Sequence, residues 1–370
     1  MKIEIHQSDL KLALSYIQKA VPTKPQLPIL SFVLLTASDE GIQLSATDLY
    51  LGIRTKISGK ISEPGRIAIS GEMFRQIINS LPAGEIQIST TDKTVQIVQN
   101  KSRSSLPFQA GEDFPVFPEV KGENINLSLN QIEEITQHIG FAASLDQTRP
   151  VLTSISFSKS DQGLEIAATD GFRLAVLTLE GEKLDKNFTP ALIPAKAFGE
   201  ILRIASSEKI SNIVWTISRE QKQALFQVGD TELFIRTIEG EYPPYHQIIP
   251  HEFKFSLDLD VEEIWMHLKR AMIFTKDVSN IVRIRLSQNS LEVYAVSPTL
   301  GEYSGSFGVN FDVAEKIEIA FNANYINDLF MAHKPKNVLL QFNEPLKPVL
   351  FTFDHDNHYK YIVMPFRVIV

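Results

Sequence analysis

The chain has 370 residues, 36 basic and 44 acidic, with a formal charge of −8 and 44% apolar residues. These values exclude wholesale disorder and leave room for two or three domains, each with its own core. No apolar run reaches the ~20 residues of a membrane helix, and the longest, near 29–37, is broken by polar residues. The absence of cysteine removes disulfides, thiolate nucleophiles, zinc knuckles and iron–sulfur clusters together. With no apolar segment behind Met1-Lys-Ile-Glu-Ile5, a cytoplasmic protein is expected. The acidic total argues against nucleic acid only until the placement of the charges is known.

In chain order, Ile3 and Ile5 give a period-2 strand, and the periodicity behind them predicts a helix over 10–21. Gly41-Ile-Gln-Leu-Ser-Ala-Thr-Asp48 reads as a strand ending in a turn, and a second helix opens near Met73. Strands at 85–89 and 94–99 follow, joined by Thr91-Asp-Lys93, and Gly111-Glu-Asp-Phe-Pro-Val-Phe-Pro118 reads as a stiff joint. The order then restarts. Ile125, Leu127 and Leu129 mark a strand, 132–143 a helix, Gly163-Leu-Glu-Ile-Ala-Ala-Thr-Asp170 a strand and turn, Ala197 a second helix, and Gly240-Glu-Tyr-Pro-Pro-Tyr245 a joint. A third pass has a strand at Phe253, Phe255 and Leu257, a helix over 261–273, the strand Leu291-Glu-Val-Tyr-Ala295 and a helix near Asn324.

The octapeptides at Gly41 and Gly163 lie 122 residues apart, Leu164 and Leu291 lie 127 apart, and Phe74, Phe198 and Tyr325 open the second helices at offsets of 124 and 127. Such self-similarity predicts a tandem triplication, with domains at 1–120, 121–248 and 249–370. Each copy is expected to hold two helices and roughly eight strands, an α+β fold dominated by antiparallel sheet. Asn130 with Glu133, and Asp260 with Glu263, stand at helix-capping spacing.

Few residues invite chemistry. Asp48 and Asp170 have the type of a general base or metal ligand, but both stand where a strand turns, a place where Asp bonds its own backbone. Asp258, Asp260, Glu262 and Glu263 have the type of metal-binding carboxylates and also sit at a helix N-terminus, which favours negative charge. Asp354-His-Asp-Asn-His358 offers metal-ligand types at a hairpin tip. Neither a phosphate-cradling glycine loop nor a nucleophile with a partnered base is present, so the sequence points away from catalysis and from any cofactor. Lys11, Lys19, Lys24, Lys196, Arg203, Lys269, Arg270, Lys334 and Lys336 lie on or beside the helices, either as one basic face or as ordinary solvated surface.

Four motifs in order carry a resemblance: Leu27-Pro-Ile-Leu30, Ala168-Thr-Asp-Gly-Phe-Arg-Leu-Ala175, Tyr242-Pro-Pro-Tyr245 and Met364-Pro-Phe-Arg367. With the length and triplication, they make the whole chain resemble the bacterial DNA polymerase III beta subunit, the replicative sliding clamp. The resemblance implies three clamp domains in a crescent that closes head to tail with a second copy into a ring around double-stranded DNA, without base contacts. It implies no catalysis, any polymerase or exonuclease activity belonging to partner subunits. The partners it implies are the polymerase catalytic subunit, the clamp loader and repair proteins, held through short linear peptides. The pocket for those peptides would comprise Leu152, Thr169, Gly171, Phe172, Arg173, Leu174, Pro243, Gln247 and Ile248 from the middle of the chain. Asn322, Tyr325, Leu346, Ile362, Met364, Pro365, Phe366 and Arg367 would complete it. Lys24, Arg75, Arg149, Lys196 and Arg203 would face DNA, and Arg103, Leu106 and Phe108 would meet Ile273 and Phe274 of a second copy.

The chain departs from the family pattern in places. Phe172 stands where histidine is frequent and Gln247 where a basic residue is common, while Glu72, Met73 and Asn79 replace frequent cations. A tail, Val368-Ile-Val370, continues past Arg367. Two other function classes are a peptide-binding α+β scaffold that does not encircle DNA, and a metal-dependent phosphoryl-transfer enzyme using the acidic cluster.

Overall fold

The computed structural model describes residues 1–181, 184, 188, 190–313, 315–353 and 358–367. The first repeat runs β1 (Lys2–His6), α1 (Gln7–Ile17), β2 (Phe32–Ser38), β3 (Gly41–Thr47), β4 (Leu51–Ile57), β5 (Gly59–Glu63), β6 (Gly65–Ser70), α2 (Gly71–Ser80), β7 (Glu85–Thr90), β8 (Thr94–Gln99) and β9 (Ser102–Ala110). The second runs β10 (Glu123–Ser128), α3 (Leu129–Glu134), β11 (Ser154–Lys159), β12 (Gly163–Thr169), β13 (Arg173–Glu180), β14 (Ala191–Pro194), α4 (Ala195–Glu208), β15 (Asn212–Ser218), β16 (Gln223–Val228) and β17 (Thr231–Arg236). The third runs β18 (Phe255–Asp260), α5 (Val261–Ala271), β19 (Ile281–Ser287), β20 (Ser290–Ser297), β21 (Gly301–Gly308), β22 (Ile317–Asn322), α6 (Ala323–His333), β23 (Asn337–Phe342), β24 (Val349–Thr352) and β25 (Tyr359–Val363). The expected strand–helix–strands–helix–strands order therefore occurs three times.

Local differences have physical causes. Helix α1 starts at Gln7, three residues before the apolar periodicity, because Gln7 is itself buried and its Nε2 donates to Ile78 O at 2.8 Å. Leu129 is the first residue of α3 rather than the last of a strand, and the cap is not Asn130 with Glu133. Ser128 Oγ accepts from Gln131 N at 3.2 Å while Gln131 Oε1 accepts from Ser128 N at 2.8 Å, a reciprocal box two residues earlier. The end of β10 at Ser128 decides between the two overlapping patterns. Asp260 caps α5 as expected, accepting from Glu263 N at 3.0 Å. Phe253 lies before β18 and packs against a core cluster instead of joining the strand. In the second helices the buried fourth residue is Phe74, Phe198 and Ile326; Tyr325, one position earlier, is half-buried.

By contact density the described chain forms two compact units, Met1–Ile132 with Gly199–Thr237, and Glu133–Phe198 with Ile238–Val370. In the first unit a 13-stranded sheet runs β10-β15-β16-β17-β4-β3-β2-β6-β9-β8-β7-β1-β5. In the second an eight-stranded sheet runs β14-β11-β12-β13-β25-β24-β23-β18, beside a four-stranded sheet β21-β20-β19-β22. Two ladders weld neighbouring repeats: β17 pairs with β4, and β25 with β13, both antiparallel. Such edge pairing satisfies backbone groups that a lone domain would leave open.

Candidate functional site

The Thr-Asp turns recur. Asp48 Oδ1 accepts from Tyr50 N and Leu51 N at 2.8 and 2.7 Å, and Asp170 Oδ1 accepts from Phe172 N and Arg173 N at 2.9 and 3.0 Å. Both carboxylates hold turns, as their strand-end positions require. Only the second turn is elaborated. Asp170 Oδ2 accepts from Arg173 Nε at 3.0 Å, and Arg173 Nη1 donates to Asp328 Oδ2 at 2.6 Å. The guanidinium lies 4.7 Å from the centroid of Tyr325 and 5.5 Å from that of Phe141. Burial disfavours its charge, but the electrostatic effect of Tyr361 and the two carboxylates outweigh that and push the Arg173 pKa above the ordinary guanidinium value. Beneath, Thr169 N donates to Tyr242 Oη at 3.0 Å, and Thr169 Oγ1 donates to Arg173 O at 2.5 Å. Arg173 is thus a fixed post between two ladders.

Around that post the middle and end of the chain meet. Leu174 pairs with Ile362 across β13 and β25, and both belong to a buried cluster with Ala167, Val176, Tyr245 and Leu350. The two were expected to line a groove with Ile248 and Met364. Both are only 1% exposed, closed over by that cluster. The accessible apolar surface is instead Phe172, Ile248, Leu346 and Phe366, exposed by 43–58%. Met364 N donates to Phe172 O at 2.8 Å and Phe366 N to Ala320 O at 2.7 Å, which ties the last segment to the turn and to β22. Asn322 caps α6, its Oδ1 accepting from Asn324 N at 3.0 Å. Leu152 and Pro365 are half-buried, Gly171 donates to Thr169 Oγ1, and Pro243, Gln247 and Arg367 stand exposed. Residues 368–370 and 354–357, including the rest of the His358 hairpin, lie outside the described residues.

The first joint is built alike and finished differently. Gly52 pairs with Thr47 and Phe234, as Leu174 pairs with Thr169 and Ile362. With no side chain at Gly52, the ring of Phe117 occupies the space. A Cβ at Gly52 would meet Phe117 Cε1 at 2.5 Å, and Phe117 lies 4.9 Å from Phe234. A cavity of about 200 Å3 remains.

The acidic cluster is likewise accounted for by Asp260 as a cap and by Asp258 on β18 opposite Leu339. Among the described residues no three His, Asp or Glu side chains converge as a metal site.

Profiles of the DNA polymerase III beta subunit match in series, the N-terminal domain at 1–118, the central domain at 126–244 and the C-terminal domain at 246–367. The chain belongs to the DNA polymerase III beta subunit family. It is 31% identical to the beta sliding clamp of Synechocystis sp. and 30% identical to that of Synechococcus elongatus, each over the full length of both chains. The solved pol III beta of Caulobacter crescentus has 27% identity, a TM-score of 0.92 and full coverage of both chains.

The positions that beta-subunit resemblance nominates for DNA fall as follows. In the first unit Lys24 is exposed, Arg75 is half-buried on α2, and Arg203 is engaged: its Nε donates to Glu200 Oε2 at 2.8 Å and its Nη2 to Ser15 O at 3.2 Å. In the second unit Lys196 is exposed on α4 and Arg149 pairs with Asp146 at 3.4 Å. Of the positions nominated for a second copy, Ile273 is 60% exposed and Phe274 half-buried. Leu106, nominated with them, is 8% exposed in the chain by itself and is paired with Val95 across β8 and β9. The backbone of β9 is what stays open. Residues 102–107 pair only with β8, and β6 takes only 108–110, so one edge carries no partner strand among the described residues. Arg103 is exposed on that stretch and Phe108 half-buried.

Three residues escaped sequence reasoning. Asp328 had no signal, lying 155 residues from Arg173. Tyr242 stood in a recognised motif without a role, and Glu165 is one polar residue among the alternations of β12.

Proposed function

We propose that this chain works as a non-catalytic sliding clamp in DNA replication, a ring-shaped homodimer that encircles double-stranded DNA in the cytoplasm. The observation that carries the reading is the serial match of all three beta-subunit domains along one chain. Encirclement needs no base contact. Lysine and arginine contacts to phosphate are sequence-independent and let a ring slide, and segregation of charge reconciles a net charge of −8 with DNA. Lys24 and Lys196, both exposed, are the freest cations for that role, with Arg75, Arg149 and Arg203 more engaged or partly covered.

Partners, among them the polymerase catalytic subunit, clamp loader and repair proteins, would dock short apolar peptides beside Arg173. Phe172, Ile248, Leu346 and Phe366 offer the apolar contacts and Arg173 and Arg367 the polar ones. Tethering raises the polymerase's effective concentration at the primer end, which is processivity. The test is primer extension with polymerase and loader under single-encounter conditions. Added protein should lengthen the products, and unchanged lengths would count against the reading.

A further inference from the structure

The cavity of about 200 Å3 at the first joint lies wholly within the first unit and has no role above. The internal repeat says what it is made of. Thr47, Leu49, Tyr50 and Gly52 stand 122 residues before Thr169, Gly171, Phe172 and Leu174. Strand pairing extends the correspondence, from Gly52 to Phe234 in one joint and from Leu174 to Ile362 in the other. The first set lines the cavity, and the second set was nominated above for the peptide pocket.

The turn at this joint carries an apolar side chain that the fold does not need. Leu49 has φ +75°, in the left-handed region where its counterpart Gly171 has φ +95° and where glycine is at ease. The turn itself is held by other groups: Leu49 N donates to Thr47 Oγ1 at 3.0 Å, and Arg236 N donates to Tyr50 O at 2.8 Å. The strained leucine is 42% exposed, with Tyr50 at 62% and Val116 at 83% on the same cavity. Strain and apolar exposure at one place mark a contact surface.

The lining also fixes what can enter. It holds neither a carboxylate nor a cation, and its floor is the tilted ring pair Phe117–Phe234. Arg54, 5.2 Å from the Phe234 centroid, has its charge offset by Glu232, whose Oε2 accepts from Nε at 2.6 Å. An uncharged, apolar group matches such a lining, and an anion or a nucleotide does not. About 200 Å3 is below the ~300 Å3 of small-molecule pockets, so the space suits one side chain of a longer segment.

We propose that the first joint is a second, weaker docking site for a linear partner peptide, seating one apolar or aromatic anchor against Phe117 and Phe234 under the rim of Leu49, Tyr50 and Val116. This rests on the reading that peptides dock beside Arg173, and extends it from one site per chain to two. The matching turn and register select that occupant, and the neutral lining selects its anchor.

The experiment is a calorimetric titration of full-length protein with a polymerase-derived motif peptide. Wild type should take two molecules per chain, the second about ten- to hundredfold weaker because one apolar side chain fewer is buried. Leu49→Gly, which the positive φ tolerates, combined with Val116→Ser should remove only the weaker molecule. Phe172→Ala with Phe366→Ala should remove only the tighter one. One molecule per chain in wild type, lost with the Phe172 and Phe366 changes, would overturn this inference and leave the Arg173 site standing. Two molecules in both wild type and the Leu49 variant would overturn it by placing the second elsewhere. A smaller sedimenting mass for the Leu49 variant would overturn it in favour of a second copy of the chain. No binding at all would overturn both readings.

Discussion

His138 and His333 stack ring on ring, their centroids 3.8 Å apart and their planes within 25° of parallel. His138 lies in a π-helical turn (Ile135–Ile139) behind α3, and His333 ends α6, so the stack joins the second and third repeats inside one unit. Tyr359 covers it, with its centroid 4.1 Å from that of His333 and its Oη donating to His138 O at 3.1 Å. Burial lowers the pKa of both histidines, His333 from 6.5 to about 3, with His138 adding to the shift; Glu133 opposes it at His138.

A lowered histidine pKa means that the unfolded chain takes up protons that the native chain refuses. Between 6.5 and about 3 stability therefore rises with pH and is lost as pH falls. Urea midpoints measured from pH 7 to pH 4 should decline in wild type. In His333→Phe, which keeps the ring and removes the titration, they should decline less. Equal slopes would show that the stack does not govern acid sensitivity.

Arg173 binds Asp170 and Asp328 while largely covered, its side chain 11% exposed. Arg173→Ala leaves Asp170 without its cation and should cost about 2–3 kcal/mol, less than a fully buried pair because the Asp328 side chain is 38% exposed. Arg173→Lys loses the fork and recovers only part of that. Urea unfolding gives the cost. Peptide titration should fall with it, since the Phe172 turn is held by the same network.

At the first joint, Gly52→Ala drives a Cβ to 2.5 Å from Phe117 Cε1. Overpacking of this kind should destabilise by about 1–3 kcal/mol. Gly52→Ala combined with Phe117→Ala should cost less than the sum of the single changes, because the second removes the clash. Additive costs would mean that the ring moves aside freely.

The triplication was legible because the strand that carries the Thr-Asp turn in the first two copies, and the opening of the second helix in all three, recur at nearly constant offsets; in the third copy Ala295-Val-Ser297 replaces the Thr-Asp turn. The helix caps were half legible. Asp260 competes with no other candidate, whereas Ser128 and Asn130 both fit until the strand end is known. The third helix landmark slipped from Ile326 to Tyr325 because an aromatic is conspicuous in a sequence, while the core at that position accepts an aliphatic. Arg173 was legible as a motif residue, but its partner Asp328 was not, since the ladder of β13 on β25 brings them together and strand register across repeats leaves no local trace. The same ladder buries Leu174 and Ile362 at 1% exposure, which an apolar residue at a joint does not announce in the sequence.

The proposed ring joint is testable at Ile273, which is 60% exposed, and its half-buried neighbour Phe274. Exposed apolar residues beside a structured turn suit an interface. Ile273→Ala with Phe274→Ala should give folded monomers by sedimentation, with an unchanged circular dichroism spectrum. A variant that still sediments as a dimer would move the joint elsewhere.

Encirclement itself is tested most directly on a closed circle. Protein loaded onto nicked circular duplex DNA, washed at a salt concentration that strips ordinary phosphate contacts, should remain bound and should leave when a restriction enzyme linearises the circle. Equal retention on circle and line, or loss from both in the wash, would contradict a ring held by topology.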